Sequence, residues 1–334
     1  MSELKTIAEK LIGGKQGILA ADESFPTIKK RFDKIGIESN EANRQSYRDM
    51  LFTSPGIGDY ISGVILFDET IRQKALDGRT FVEVLNAHGV LPGIKVDQGT
   101  LKMGDGQEKV TTGLDGLEDR LADYASLGAK FTKWRAVITI SDATPTDQNL
   151  RINAKDLAVF AKKTQEAGMV PMVEPEVLMD GSHSMERCAE VSEKTLRFVF
   201  EALGEAGVDS PGMILKTNMV VPGKLSGQTA SSIEIAKATT AMFNKILPQE
   251  LPGVAFLSGG QSEIEATENL NAINLAKTGK WFMNFSYGRA LQDSALTTWA
   301  GKKENIVAAQ EKFLHRAKMN SLAVMGRYAK DLEK

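Results

Sequence analysis

Histidine and cysteine are scarce in this chain, and their scarcity removes whole classes of chemistry at the outset. Three histidines, His88, His183 and His315, and one cysteine, Cys188, occur in 334 residues. A lone cysteine cannot form an intrachain disulfide, which fits a reducing compartment. A catalytic zinc usually takes three protein ligands rich in His or Cys, and no H-x-x-H or similar pair is present. Zinc is therefore excluded more firmly than magnesium, which carboxylates alone could hold, and no metal is expected. No apolar run approaches the ~20 residues that span a bilayer. The opening MSELKTIAEKLIGG mixes apolar and charged residues and has no secretory apolar segment, so a cytoplasmic protein is the simplest reading. Charge of one sign is not in excess, since the formal net charge is −2. That balance supplies no global field for nucleic acid or acidic membranes, although a local basic cluster could hold a small anion. Low-complexity segments and Pro- or Ser-rich linkers are absent too, so residues 1–334 read as one domain.

What is present is a rhythm of short apolar runs. They are GILAAD (17–22), ISGVILF (61–67), PGIKVD (92–97), AKFTKWR (129–135), MVPMVEPE (169–176), GMILKTN (212–218), GVAFLSGG (253–260) and WFMNFSYG (281–288), eight in all. Most open near Gly or Pro and are too short for helices. Between them, segments such as NAKDLAVFAKKTQEAG (153–168) and SSIEIAKATTAMFNKIL (231–247) carry apolar residues at helical spacing. Asn153 is an expected N-cap there and Gly168 an expected stop. Eight buried strands alternating with helices predict a parallel (β/α)8 barrel of the α/β class. An open doubly wound sheet is the weaker alternative, because no Gly-rich dinucleotide turn follows the first run.

The runs end in polar residues: Asp22 and Ser24, Asp68 and Glu69, Lys95 and Asp97, Lys133 and Arg135, Glu174 and Glu176, Lys216 and Asn218, Ser258, then Ser286 and Arg289. Residues two apart in a strand share a face. Five of these pairs have that spacing, so both members could point into the barrel mouth, where barrel enzymes hold their active sites. For any single strand, a solvated loop start explains the charge equally well. Lys216 is the sharpest case, because apolar residues flank it in PGMILKTNMVVPG. A buried lysine is costly unless neutral or paired. Two readings stay open at this point: an uncharged amine that attacks a carbonyl, or a structural ion pair with Glu174 or Glu176. Lys133 and Lys95 are rivals on the same argument. Glu174 is placed to move protons for such an amine, and Asp22 could take the proton of an alcohol that becomes an aldehyde.

Two anion sites are expected. Gly259 and Gly260 in LSGGQS (257–262) let backbone N–H groups approach an anion. Gly288 and Arg289 in SYGRAL (286–291) follow the next strand and add a fork-shaped donor. Phosphate sites after strands seven and eight are common in barrels. Lys95, Arg135 and Arg31 form the second basic set, for which surface ion pairing is the plain alternative.

Together the motifs GILAADES, GVILFDET, GIKVDQG, TTGLDGL, AKFTKWR, VPMVEPE, LKTNMVVPG, FLSGGQSE, LNAIN, FSYGRALQ and GKKEN, in order from about residue 15 to about residue 328, resemble the class I fructose-1,6-bisphosphate aldolase family. The resemblance implies Lys216 as the Schiff-base lysine and Glu174 as the acid/base for carbinolamine dehydration, with Glu176 its neighbour. It implies Asp22 at the C3–C4 hydroxyls, with Lys133 and Arg135 near the reacting centre and the distal phosphate. Ser258, Gly259, Gly260, Gly288 and Arg289 match the C1-phosphate site, and Ser24, Thr27, Lys95 and Arg31 the surroundings of the C6-phosphate. It implies phosphorylated sugars as ligands, no cofactor, a homotetramer, and a place in glycolysis and gluconeogenesis. Two departures stand out. FPTIKKR follows ADES where the animal enzymes have small residues, with only Thr27 keeping a hydroxyl, and Phe25 and Pro26 are expected to stiffen that loop. The last tyrosine is Tyr328, so no terminal tyrosine is expected to assist proton exchange at C3. Other Schiff-base barrel lyases, a metal-dependent lyase, and a scaffold protein derived from the family are the alternatives.

Overall fold

The eight apolar runs become eight parallel strands that close on themselves. The computed structural model describes residues 3–104 and 106–334. In chain order the strands are β1 (Gly17–Ala20), β2 (Ile61–Leu66), β3 (Leu91–Lys95), a small antiparallel hairpin of β4 (Thr100–Lys102) and β5 (Lys109–Thr111), then β6 (Phe131–Ile138), β7 (Val170–Val177), β8 (Ile214–Thr217), β9 (Gly253–Phe256) and β10 (Phe282–Tyr287). Around the barrel they run β1-β10-β9-β8-β7-β6-β3-β2. β1 pairs with both β10 and β2, so the sheet has no edge and the open-sheet alternative falls. The hairpin was not anticipated, because its strands are short and largely exposed.

Alternation sorts the side chains. Leu19, Val64, Ile94, Trp134, Val173, Leu215 and Val254 face outward into the layer shared with the helices. Ile18, Ala20, Ile65, Phe131, Val170, Met172, Ile214 and Ala255 face inward and fill the lower barrel. The helix Glu3–Ile12 closes that lower end with Ala8, Leu11 and Ile12, all fully buried. Its C-terminal carbonyls are satisfied by barrel side chains: Ser62 Oγ donates to Leu11 O at 2.5 Å and Asn284 Nδ2 to Ile12 O at 3.0 Å. Truncating Leu11 to alanine there would cost roughly 2–5 kcal/mol. Continuing upward on the same inward rows, Ala20 leads to Asp22, Phe131 to Lys133 and Arg135, Met172 to Glu174 and Glu176, and Ile214 to Lys216. A dry floor thus gives way to a charged mouth.

Three expectations need correcting. The helix expected from Asn153 runs Asp147–Glu166, capped by Thr146. Asn153 lies inside it, its amide donating to Lys109 O at 3.0 Å, so its polarity serves a tertiary contact rather than a cap. Asn218 does not share the mouth with Lys216. β8 ends at Thr217, and the Asn218 side chain instead accepts from Val177 N–H at 3.1 Å and donates to Ser192 Oγ at 3.0 Å. Asp68 and Glu69 open the helix Asp68–Arg72. Glu69 pairs there with Arg44 at 2.5 Å, away from the mouth. Gly168 does follow its helix, with a φ of 76°.

Candidate active site

The mouth of the barrel is a cavity of about 980 Å³. Every predicted catalytic or phosphate-binding residue lines it except Gly260, which stands beside Arg289. Four charged groups from four strands or strand ends meet at its floor. Lys133 Nζ lies 2.6 Å from Asp22 Oδ2 and 3.4 Å from Glu174 Oε2. Lys216 Nζ lies 3.1 Å from Glu174 Oε1. Lys133, Glu174 and Lys216 are buried, and Asp22 nearly so. Strand register explains the meeting: Lys133 pairs across to Met172, and Glu174, one inward step higher, reaches over toward both neighbours.

Burial alone would drive both carboxyls toward the neutral acid. For Asp22 that push is overcome by Lys133, Lys216 and Lys95, which hold the carboxyl well below the usual carboxylate range. For Glu174 it is overcome by Lys216, Lys133 and Arg135, which likewise hold it low. Burial works against the Lys133 ammonium, but Asp22, Glu174 and Asp97 outweigh it and raise its pKa above the ordinary lysine value. Lys133 is therefore a fixed cation, not a free amine. Glu174 Oε2 has no hydrogen-bond partner among the described residues, which leaves a lone pair for a ligand hydroxyl.

Glu176 does not join Lys216; it pairs with Arg135. Of the two structural partners open to Lys216 in the sequence, only Glu174 is in contact with it. The second basic set is also partnered. Lys95 Nζ lies 2.7 Å from Asp97 Oδ1, and Arg31 lies 2.6 Å from Glu23. Arg31 also stands 3.4 Å from where a Cβ on Gly288 would be. This places it beside the start of the loop after β10, in the same cavity as Lys95 and Arg135, with which the sequence grouped it. The loop expected after ADES is a helix, Phe25–Asp33, with proline in its first turn. Ser24 precedes it, with Oγ 3.1 Å from Thr27 Oγ1. Phe25 meets the edge of Phe67 at 5.3 Å, and Arg44 sits over its face at 4.7 Å.

The other anion site is less encumbered. Gly259 and Gly260 have φ of 59° and 91°, a left-handed pair that only glycine adopts without strain, and such turns aim successive N–H groups at an anion. β9 and β10 are neighbours, so Ser258–Gly260 faces Gly288 and the start of the helix Arg289–Trp299. Among the described residues Arg289 has no carboxylate partner, unlike the other predicted phosphate-binding cations.

Glu23 was overlooked. It is buried beside Asp22 and neutralised by Arg31 and Arg48, with Gln292 Nε2 at 3.2 Å. The signal was present: an acid adjacent to Asp22 at a strand end must point the other way and find its own cations. Asp97 was noted only as a strand end, yet it is the partner of Lys95. Tyr328 donates to Glu333 at 2.9 Å and does not line the mouth. Among the described residues no group of three His, Cys, Asp or Glu side chains converges as a metal site would need.

Comparison with known proteins adds a second line of evidence. The family model described as fructose-bisphosphate aldolase class-I matches residues 3–334. "Fructose-bisphosphate aldolase 4, cytosolic" of Arabidopsis thaliana is 52% identical over 320 residues, covering 95% of this chain and 81% of that one. The "Probable fructose-bisphosphate aldolase class 1" of Xanthomonas axonopodis pv. citri is 48% identical over 98% of this chain and 99% of its own. A crystal structure of fructose-bisphosphate aldolase from Plasmodium falciparum, in complex with TRAP and a small-molecule inhibitor, superposes with a TM-score of 0.96. It has 49% identity and covers 98% of this chain and 95% of its own.

Proposed function

Because the chain belongs to the class I fructose-bisphosphate aldolase family, we propose that its cleavage of fructose 1,6-bisphosphate runs through an imine on Lys216. The reaction is that of a lyase, giving dihydroxyacetone phosphate and glyceraldehyde 3-phosphate reversibly, and the family is the metal-independent, Schiff-base type. One observation supports the assignment above others: Glu174 Oε1 lies 3.1 Å from Lys216 Nζ above an apolar floor. At that distance the ionised Glu174 can take a proton from the lysine nitrogen as it attacks C2 of the open-chain ketose. The same proton is then at hand to expel the C2 hydroxyl as water. Glu174 thus serves both halves of imine formation.

The iminium is the electron sink. Asp22 takes the proton of the C4 hydroxyl, the C3–C4 bond breaks, and its electron pair moves into the iminium to form an enamine. Lys133, a fixed cation 2.6 Å from Asp22, stabilises the negative charge that develops on the C4 oxygen. Glyceraldehyde 3-phosphate leaves first. The enamine is protonated at C3 and the imine hydrolysed to dihydroxyacetone phosphate. Ser258, Gly259, Gly260, Gly288 and Arg289 hold the C1-phosphate. Ser24, Thr27 and Lys95 serve the C6-phosphate, with Arg135 released from Glu176 as the substrate enters. Arg31 braces Gly288 through its pair with Glu23. The chain works as one domain without cofactor, in the cytoplasm as the names of plant relatives suggest for them, and as a homotetramer.

Borohydride reduction in the presence of dihydroxyacetone phosphate, followed by mass spectrometry, tests the reading. The adduct is expected on the peptide containing Lys216; an adduct on Lys133 or Lys95, or none, would overturn it. Activity is expected to survive a chelator, which separates this reading from a metal-dependent lyase.

A further inference from the structure

The loop after β8 brings to the C1-phosphate cradle a cation that no motif assigned. Lys224 lies in VVPGKLSG (220–227). The backbone around it is pinned to the loop after β7 by three hydrogen bonds: Gly223 N–H to His183 O at 2.9 Å, Lys224 N–H to Met179 O at 2.9 Å, and Leu225 N–H to Gly181 O at 2.8 Å. A Cβ on Gly223 would run into the Gly181 carbonyl, so this approach requires the glycine that precedes the lysine. From that fixed start the side chain reaches Gly260. A Cβ built on Gly260 would overlap Lys224 Nζ and stand 3.2 Å from Arg289 Nη2. The two cations therefore flank one glycine of the left-handed turn. Their counter-charge is thin: Asp180 lies 3.6 Å from Lys224 with its side chain 70% exposed, and Arg289 has no carboxylate partner among the described residues. Two cations so close repel unless an anion sits between them, and a phosphate monoester carries roughly −1.5 to −2 charges at neutral pH.

We propose that Lys224 is a further phosphate-binding residue, closing on the C1-phosphate beside Arg289, where both cations approach Gly260. This rests on the reading that the loops after β9 and β10 hold a sugar phosphate. An ammonium is a point charge with rotating donors, whereas guanidinium is a planar fork. Lys224 therefore adds affinity for the dianion, and Arg289 sets its orientation. The pair makes the site selective for ketoses phosphorylated at C1.

The test is titration of the full chain with inorganic phosphate, which needs no turnover, together with KM for fructose 1-phosphate. Lys224→Met should weaken phosphate binding about tenfold, the lower end for a charged hydrogen bond, and raise KM similarly with little change in kcat. Lys224→Arg should restore most of the loss. Asp180→Asn should act in the opposite direction and tighten phosphate binding, because it removes the competitor for Lys224. A lysine that serves only to pair with Asp180 predicts no such gain. Unchanged phosphate binding in Lys224→Met, or a fall in melting temperature alone, overturns the proposal. Arg289→Met separates the two levels. If it weakens phosphate binding and Lys224→Met does not, only the role of Lys224 falls; if neither does, the cradle itself is misassigned.

Discussion

Glu263 and Ser294 tie together the two helices that begin at the phosphate cradle. Glu263 opens the helix Glu263–Ala276, just after Ser258–Gly260, and Ser294 lies in the helix that starts at Arg289. Glu263 Oε1 accepts from Ser294 N–H at 3.0 Å, and Oε2 accepts from the Ser294 hydroxyl. Arg316 stands 3.9 Å behind the same carboxylate. Removing both acceptors in Glu263→Ala should cost about 1–3 kcal/mol. A lower melting temperature and a raised KM for C1-phosphorylated substrates are the expected readings. Glu263→Gln, which keeps one acceptor, should lie between. A variant with parental melting temperature and KM would show that the two helices hold their places without this link.

If Lys216 carries the imine, its amine is the one group the reaction cannot lose. Lys216→Met should lower turnover by more than about a thousandfold, as loss of a nucleophile does elsewhere. Glu174 would keep Lys133 at 3.4 Å as counter-ion, so the fold should survive and unfold cooperatively. A variant that cleaves fructose bisphosphate at a tenth of the parental rate would move the imine to another lysine, whereas one that fails to fold would favour a structural ion pair.

Asp22 gives a pH signature. Burial would raise its carboxyl, yet Lys133, Lys216 and Lys95 hold it low. A carboxyl depressed on folding contributes stability that is fully present above its unfolded pKa, about 3.9. That contribution is lost as pH falls through the lower folded value. The melting-temperature gap between the parent and Asp22→Asn should therefore be widest near neutral pH and narrow below about pH 4. A gap independent of pH would mean that the Asp22 charge contributes nothing to the folded state.

Ser24 and Thr27 share a hydrogen bond at the rim. If they serve the C6-phosphate, Ser24→Ala should raise KM for fructose 1,6-bisphosphate about tenfold, the lower end for one hydrogen bond to a charged group. It should leave KM for fructose 1-phosphate unchanged. Equal changes for both substrates would place Ser24 outside that site.

The barrel was legible in the sequence because inward and outward rows differ so sharply. Ile214 then Lys216, and Met172 then Glu174, carry the change from floor to mouth in steps of two. That parity holds only while the backbone is extended. It failed at Asn218, one residue past the end of β8. Asp68 and Glu69, adjacent in the chain, open a helix instead, with Asp68 at the mouth and Glu69 paired with Arg44. The sequence could not supply the pairing of charges. Lys133 and Asp22 lie far apart along the chain, and nothing in the sequence pairs Arg31, on the helix Phe25–Asp33, with Glu23. Lys224 was invisible for the same reason, since its place depends on three backbone contacts between loops that no local pattern encodes.

The helix Glu3–Ile12 stoppers the barrel from below. With that end packed by Ala8, Leu11 and Ile12, the charged mouth is the side from which a ligand reaches Lys216. If the imine forms there, the aldehyde fragment, bound to nothing covalently, is free to leave while the ketose fragment stays tethered to the chain.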